Sequence, residues 1–301
     1  LFRPEKPGKR QARRDDEAVS KEDKPLMPIP ISDPNDPRIE AYRAVRERDL
    51  TGREHRFVAE GEVVLRVLLQ QPRFTVESVL LAENRIQGLS DALEVLAPET
   101  PVYVASRAVM DAIVGFPIHR GILAVARRPP LPSVEDLLGG LPDRALVVGL
   151  IGLANHDNVG GIFRNAAAFG ANAVLLDRET CDPLYRKAVR VSVGGALVVP
   201  FTRAPSAPAM VAALRQAGFE VISLTPSGRE RLVDVGRAPR AALLLGAEGP
   251  GLPTPLLEET RSVAIPMSGG FDSLNVATTS GIVLHHLSSI SGSPVEQPQA
   301  R

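Results

Sequence analysis

The chain has a single cysteine, Cys181, so it holds no internal disulfide framework and fits a reducing, cytoplasmic setting. Its five histidines are scattered, and with one cysteine they make no metal-ligand cluster, so no metal is expected. No apolar run reaches membrane-spanning length. The first residues contain no apolar segment of signal-peptide type. Net charge is missing too: 35 Lys and Arg balance 35 Asp and Glu. That balance does not point to nucleic acid, although a basic patch can coexist with it. Lysine is scarce. After Lys24 only Lys187 follows, and arginine carries the remaining positive charge. The skew reads either as base composition or as a choice suited to phosphate binding.

What is present is ample apolar material. Hydrophobic residues make up 44% of 301 residues, enough to bury a core and long enough for about two domains. Residues 1–36 are charged and proline-rich, with a basic start, and read as a loose arm, either solvated or touching RNA. Residues 37–130 alternate short strands and helices, the pattern of a small α/β domain. "RFVAEG" reads as a strand ending in Gly61, and "EVVLRVLLQQ" as a helix burying Val63, Val67 and Leu68. Residues 131–143 are a linker rich in proline and glycine, with room for one helical turn. Residues 144–290 form a second α/β unit that opens on the continuous apolar strand "ALVVGLIGL", as expected where both faces are covered. Its strands include "LVVPF", "EVISLT", "AALLLG" and "SVAIPM", and the pattern alone predicts a parallel sheet with helices on both faces. Ligands in such sheets sit beyond the C-terminal strand ends. Residues 291–301 read as a flexible tail.

Three stretches of the second unit are costly for structure alone. In "NHDNVGGIFRNAAAFG" Asn158 is placed to cap a helix. Gly160 and Gly161 each weaken the first turn by roughly 1 kcal/mol against alanine, leaving room for a ligand or a neighbouring backbone. Ile162, Ala166 and Phe169 make the buried stripe, and Arg164 points away from it. Taken alone, Arg164 reads equally well as a solvated surface residue. In "LLLGAEGPGLP" a strand runs into Gly246, Gly249 and Gly251 with Glu248 between them. The spacing is neither a dinucleotide fingerprint nor a phosphate-binding Walker loop. In "IPMSGGFDSLNVATTSGIVLHHL" a strand end leads through glycines to Ser273, which can cap a helix with Leu274 and Asn275 in its first turn. Val276, Ser280, Val283 and Leu287 line one face of that helix, and Ala277, Ser280 and Gly281 allow close packing.

Together, in this order and spacing, these stretches resemble the SpoU family of RNA ribose methyltransferases, of TrmH-like, SPOUT class. The carrying residues are Asn158, Gly160 and Arg164; then Gly246, Glu248 and Gly249; then Ile265, Pro266, Met267 and Ser273 to Val276. The resemblance covers residues 144–290, and "FVAEGEVVLRVLL" with "HRGILAVA" look like the small substrate-binding domain that many members carry. It implies an α/β fold whose C-terminal parallel-sheet domain has a deep trefoil knot, preceded by a small α/β RNA-binding domain. It implies methyl transfer from S-adenosyl-L-methionine to a ribose 2′-hydroxyl of structured RNA, ribosomal slightly ahead of transfer RNA. It also implies a homodimer, for whose packing the small-residue face of the last helix is suited. The competing reading is an RNA-binding or ribosome-assembly factor that keeps the fold without the chemistry.

The implied catalytic residues are Arg164, Asn158, Ser273 and Asn275. Arg164 acts either as base or as a grip on a phosphate; the strong basicity of guanidinium groups in general makes the first demanding. The implied cofactor contacts are Leu224, Thr225, Gly246, Glu248, Gly249, Ile265, Met267, Leu274 and Asn275. RNA contacts are expected at Arg164, at Arg186, Lys187 and Arg190 on one helix, and at Arg53, Arg56, Glu60 and Gly61 in the first domain.

Overall fold

A computed structural model describes residues 27–43, 54–236, 238–268 and 273–289. Arg53 and most of the expected arm and tail lie outside these residues.

The first unit is built on strands β1 (Ile29–Ile31), β2 (Arg56–Glu60), β3 (Thr75–Ala82), β4 (Val102–Ala105) and β5 (Ile122–Arg127). They form one sheet in the order β1-β4-β3-β5-β2. β1, β4 and β3 are parallel, and β5 runs antiparallel to β3 and β2. Helices α1 (Glu62–Leu69), α2 (Ser90–Leu93) and α3 (Arg107–Val114) connect them. The boundary drawn at residue 36 is corrected by β1. Ile29–Ile31 pairs with β4, and Ile31 is buried. The site is a sheet edge, where the missing N–H of Pro30 costs no ladder bond. A 3-10 helix at Pro37–Tyr42 follows, capped by the Asp36 carboxylate, and buries Ile39 and Tyr42.

The phase of α1 also differs from expectation. Gly61 begins it with φ 99°, and the buried face is Val64, Leu65 and Leu68. Val63, expected inside, is 56% exposed.

After a short helix α4 (Val134–Gly139), capped by Ser133, the second unit begins. It runs β6 (Ala145–Ile151), α5 (His156–Ala168), β7 (Ala173–Leu176), α6 (Arg186–Val191), α7 (Gly195–Val198) and β8 (Phe201–Arg203). It continues with α8 (Ala207–Gln216), β9 (Glu220–Leu224), β10 (Glu230–Arg231), β11 (Arg240–Gly246), α9 (Thr254–Glu259), β12 (Arg261–Ala264) and α10 (Val276–Ser289). The sheet order is β10-β12-β9-β11-β6-β7-β8, and the pairs are parallel throughout. The strand expected over "LVVPF" is half helix. Gly194, at φ 84°, starts α7, and the Ser192 hydroxyl accepts the Ala196 N–H. Pairing with β7 resumes only at Phe201, after Pro200.

Strand alternation assigns the two faces of this sheet. Leu146, Val148 and Leu150 pack with α5, α6, α7 and α10. Ala145, Val147 and Ile151 pack with α4, α8 and α9. The first core continues into the first unit through Phe57, Leu65 and Leu68, so the two sheets share apolar material. Arg128 on the strand leaving the first unit meets Asp182 of the second at 2.7 Å, with both side chains about a tenth exposed.

Candidate active site

Four chain segments converge at the C-terminal ends of β9, β11 and β12. They enclose a cleft of about 410 Å³, within the usual range for small-molecule sites. Leu224 ends β9 and Thr225 follows it, Gly246 ends β11 with Glu248 and Gly249 after it, and Ile265 and Met267 follow β12. Ser273, Leu274 and Asn275 enter from the segment before α10. Each residue expected at a cofactor therefore lines one cleft. Pro226, Leu245, Ala247, Gly251, Val276 and Thr279 line it too. They were not singled out as contacts; for Pro226, Ala247 and Gly251 a position just past a strand end was the available signal.

The walls are made largely of backbone. A β-carbon on Gly246 would lie 2.4 Å from the carbonyl carbon of Gly251, because the loop folds back on itself. Gly251 N–H donates to the Ala247 carbonyl at 3.0 Å, and Gly249 and Gly251 hold φ 87° and 68°. Behind the loop after β9, Gly228 presses on the backbone of Val263 and Ala264. There the Arg229 guanidinium donates to Ser262 Oγ at 3.1 Å and the Thr260 carbonyl at 3.0 Å. Apolar side chains with a few convergent polar groups are what an organic cofactor with a flat ring and polar ends requires.

The polar groups form a chain. Asn275 Nδ2 donates to Asn158 Oδ1 at 2.8 Å and to Glu248 Oε1 at 3.3 Å. Asn275 Oδ1 accepts from the Ala277 and Thr278 N–H groups at 2.9 and 3.2 Å, so Asn275 is the cap of α10. Ser273, expected to cap that helix, instead lines the cleft. Asn158, expected to cap α5, is buried inside the first turn, and Asn155 does the capping through the Asp157 N–H. Asn158 instead accepts from Asn275.

Gly160 and Gly161 make room for neighbouring helices rather than for a ligand. A β-carbon on Gly160 would lie 2.7 Å from the Ala188 carbonyl oxygen of α6, and one on Gly161 2.7 Å from Ala277 Cβ of α10. Asn165 Nδ2 donates to the Ala277 carbonyl and to Ser280 Oγ, at 2.7 and 2.9 Å. The small-residue face of α10, read as suited to a second copy, is thus used inside the chain. Phe169 is only half-buried, and Phe163 takes its place in the core.

Arg164 is exposed, does not line its own cleft, and makes no hydrogen bond or ion pair among the described residues. Its Cα lies 3.2 Å from where a β-carbon on Gly195 would stand, beside the turn into α7. The other described cations expected at RNA are engaged within the chain. Arg190 and Arg186 reach the buried Glu60 carboxylate at 3.4 and 4.0 Å. Lys187 pairs with Asp157 at 2.7 Å, and Arg56 with Glu77 at 2.7 Å and Glu54 at 3.0 Å. Gly61 carries Arg120 across its face, where a β-carbon would lie 2.8 Å from the guanidinium. Burial pushes the Cys181 thiol up to about 12, so this sulfur is no nucleophile at neutral pH. Among the described residues no cluster of three His, Cys, Asp or Glu is placed to hold a metal, and no helix is long and apolar enough to cross a membrane.

Residues 145–285 match the SpoU rRNA Methylase family. An uncharacterized tRNA/rRNA methyltransferase of Mycobacterium tuberculosis is 40% identical over 265 residues, 85% of this chain and 90% of the relative. The 23S rRNA (guanosine-2′-O-)-methyltransferase of Acinetobacter baylyi is 32% identical over 206 residues, 66% of this chain and 83% of the relative. An AdoMet-bound rRNA methyltransferase from Sinorhizobium meliloti superposes with a TM-score of 0.75 at 23% identity, covering 88% of this chain and 98% of that one, which shows the fold. A chain this similar to its relatives over most of their length, with two of the motifs lining one cleft and the first tied to it through Asn158, belongs to the SpoU rRNA methylase family.

Proposed function

We propose that this protein is an RNA (ribose-2′-O)-methyltransferase that uses S-adenosyl-L-methionine. The observation that carries the reading is the hydrogen-bonded chain Asn158–Asn275–Glu248, which ties three distant sequence motifs to one cleft at the strand ends. The residues present fit the cofactor. Leu224, Leu245, Ile265 and Met267 offer apolar walls, the glycine loop offers backbone groups, and Glu248 and Asn275 offer polar ends. When bound, the cofactor supplies a methyl carbon activated by its positive sulfur. The chain's own task is alignment, which can supply much of a rate enhancement. Asn275 does this from a fixed rotamer, since its oxygen is committed to capping α10 and its nitrogen to Asn158 and Glu248.

Arg164 brings an exposed guanidinium. Its role is that of a charge: it grips a phosphate beside the target ribose and stabilises negative charge developing on the 2′-oxygen. Because it lies outside its own cleft, we place it at the cleft of a second copy in a homodimer. The exposed Ile282 on α10, next to α5, supports that face. We also read the C-terminal segment as a trefoil knot. Thr225 N–H donates to the Val263 carbonyl and Gly228 presses on β12, so the loop after β9 wraps the strand that leads to α10. The relative from Acinetobacter baylyi carries a 23S rRNA name, which favours ribosomal over transfer RNA and a cytoplasmic site of action. The first unit would serve as the RNA-binding domain.

The test is incubation with methyl-labelled S-adenosylmethionine and total RNA, followed by nuclease digestion. Label on ribose, lost in Arg164→Ala, is the expected result. Label confined to bases, or indifferent to that substitution, overturns the reading.

A further inference from the structure

Arg120, in the stretch "HRGILAVA", was given no role by the sequence, yet its setting is unusual. It is exposed, lies across the face of Gly61, and has no hydrogen-bond or ion-pair partner among the described residues. Gly61 opens α1 with φ 99°, and a side chain there would displace Arg120. One residue earlier, the buried Glu60 carboxylate is shared by Arg190 and Arg186 of the second unit. Arg190 keeps 36% of its side chain exposed while so anchored. Cationic groups from both units therefore meet at the start of α1.

From that point an apolar strip runs along α1. Val63 is 56% exposed, and Val67 lies one turn further on the same face. Val67 packs against Gly194, whose β-carbon position lies 3.0 Å from Val67 Cγ1. Val193 beside it is 37% exposed and holds φ 53°. That left-handed conformation is costly for a β-branched residue and persists only when surroundings impose it. Val198, at the end of α7, is 45% exposed. The strip ends at Gly195, which abuts Arg164. Gly61 to Val67 spans roughly 9 Å of helix.

We infer that this surface is a track for single-stranded RNA: Arg120 and Arg190 hold backbone phosphates where α1 begins, the exposed valines carry sugar and base faces, and the strand runs on toward Arg164. The inference rests on the ribose-methyltransferase reading and names the form of RNA that reaches Arg164. Alternation of an unpaired cation, Arg120, and a half-exposed one anchored on Glu60, Arg190, with apolar surface suits an unpaired strand. A duplex would present phosphates and hydroxyls to the valines, with its bases stacked away from them. A second copy seated on the valines would leave Arg120 without a counter-ion, whereas a phosphate supplies one. Glu60 orders Arg190 and Arg186 in advance, so that binding does not have to freeze two long side chains.

The experiment uses the full chain and a fluorescein-labelled 12-nucleotide single-stranded RNA of mixed sequence, alongside the same RNA as a duplex. Affinity is measured by anisotropy from low to moderate salt. Arg120→Ala should bind the single strand about 5- to 10-fold more weakly at low salt, with the log–log salt slope smaller by about 0.7, the loss of one phosphate contact on a single strand. Val63→Ser should weaken binding about 3-fold and leave the slope unchanged. Arg215→Ala, on the far side of the second unit, should match the wild type. Calorimetry with S-adenosylmethionine should be unchanged in each variant. Wild-type affinity in both Arg120→Ala and Val63→Ser, or a wild-type preference for the duplex, overturns the track. So does a Val63→Ser variant whose only defect is a changed oligomeric state by sedimentation, which would give the valines to a second copy. Label transfer to RNA by the same preparations separates the two levels. If the wild type transfers none, the ribose-methyltransferase reading falls with the track; normal transfer with unchanged affinities removes the track alone.

Discussion

The cleft at the strand ends and the surface where the two units meet are built by opposite means. The cleft is made of apolar side chains, a glycine loop and the neutral or singly charged Asn275 and Glu248, with Asn158 behind Asn275. The junction adds ion pairs to a shared apolar core: Arg190 and Arg186 on Glu60, and Arg128 on Asp182. The contrast teaches that a motif residue and a basic residue carry different information. Glycines and asparagines in the motifs sit where only their shapes or amides fit. Arginines on a helix face are interchangeable as text, and their partners come from another part of the chain.

The sharpest way to break this contrast is Arg164→Ala. An exposed, unpartnered charge should be worth little to folding, while loss of transition-state charge stabilisation should slow transfer by about 10²-fold or more. We expect the unfolding midpoint and S-adenosylmethionine affinity to hold while label transfer collapses. A large loss of stability instead would mean that Arg164 is structural.

Gly246→Ala attacks the cleft through its backbone. The new methyl would meet the Gly251 carbonyl carbon at 2.4 Å, so the loop must move. Such overpacking costs about 1–3 kcal/mol. Calorimetry should show cofactor affinity down by at least about 10-fold, and an unchanged affinity would show that the loop gives way without touching the cleft.

Glu60→Gln tests the junction. Removing one partner of a buried pair costs about 3–5 kcal/mol. Arg190 is 36% exposed and can rehydrate, so about 1–2 kcal/mol is expected here. Urea denaturation should detect it, with cofactor affinity intact; an equal loss of cofactor affinity would join the two regions that the contrast separates.

The smallest effect concerns Cys181, in the loop between β7 and α6. Its thiol is pushed up to about 12 by burial. The thiolate therefore appears only as pH rises toward that value, and at pH 8 roughly one molecule in 10⁴ carries it. Iodoacetamide labelling of the native chain should be far slower than in urea and should accelerate with pH. Fast labelling at pH 8 would show an open loop.

The sheet and the glycine loops were legible because period and composition speak directly. β6 reads as a buried strand because each of its residues is apolar or glycine, and it is buried along its length. Errors arose where a local rule met a competitor. Val63 follows helical spacing as well as Val64 does, but Gly61 sets the start of α1 and so its phase. "LVVPF" has strand composition, but Gly194 and Ser192 begin a helical turn first. Asn158, Ser273 and Asn275 are all competent caps as text, and only Asn275 is one.

The sequence by itself determined the two α/β units, the three motifs and the strand ends on which they fall, because hydrophobic period, glycine placement and capping chemistry are local. Tertiary structure alone decided that Asn158 would meet Asn275 across 117 positions. It also decided that Gly160 and Gly161 would admit helices instead of a ligand, and that Arg186 and Arg190 would spend their charge on Glu60. Each of these is a pairing between distant segments. Local propensity carries no term for it, since its energy exists only once both partners have been desolvated side by side.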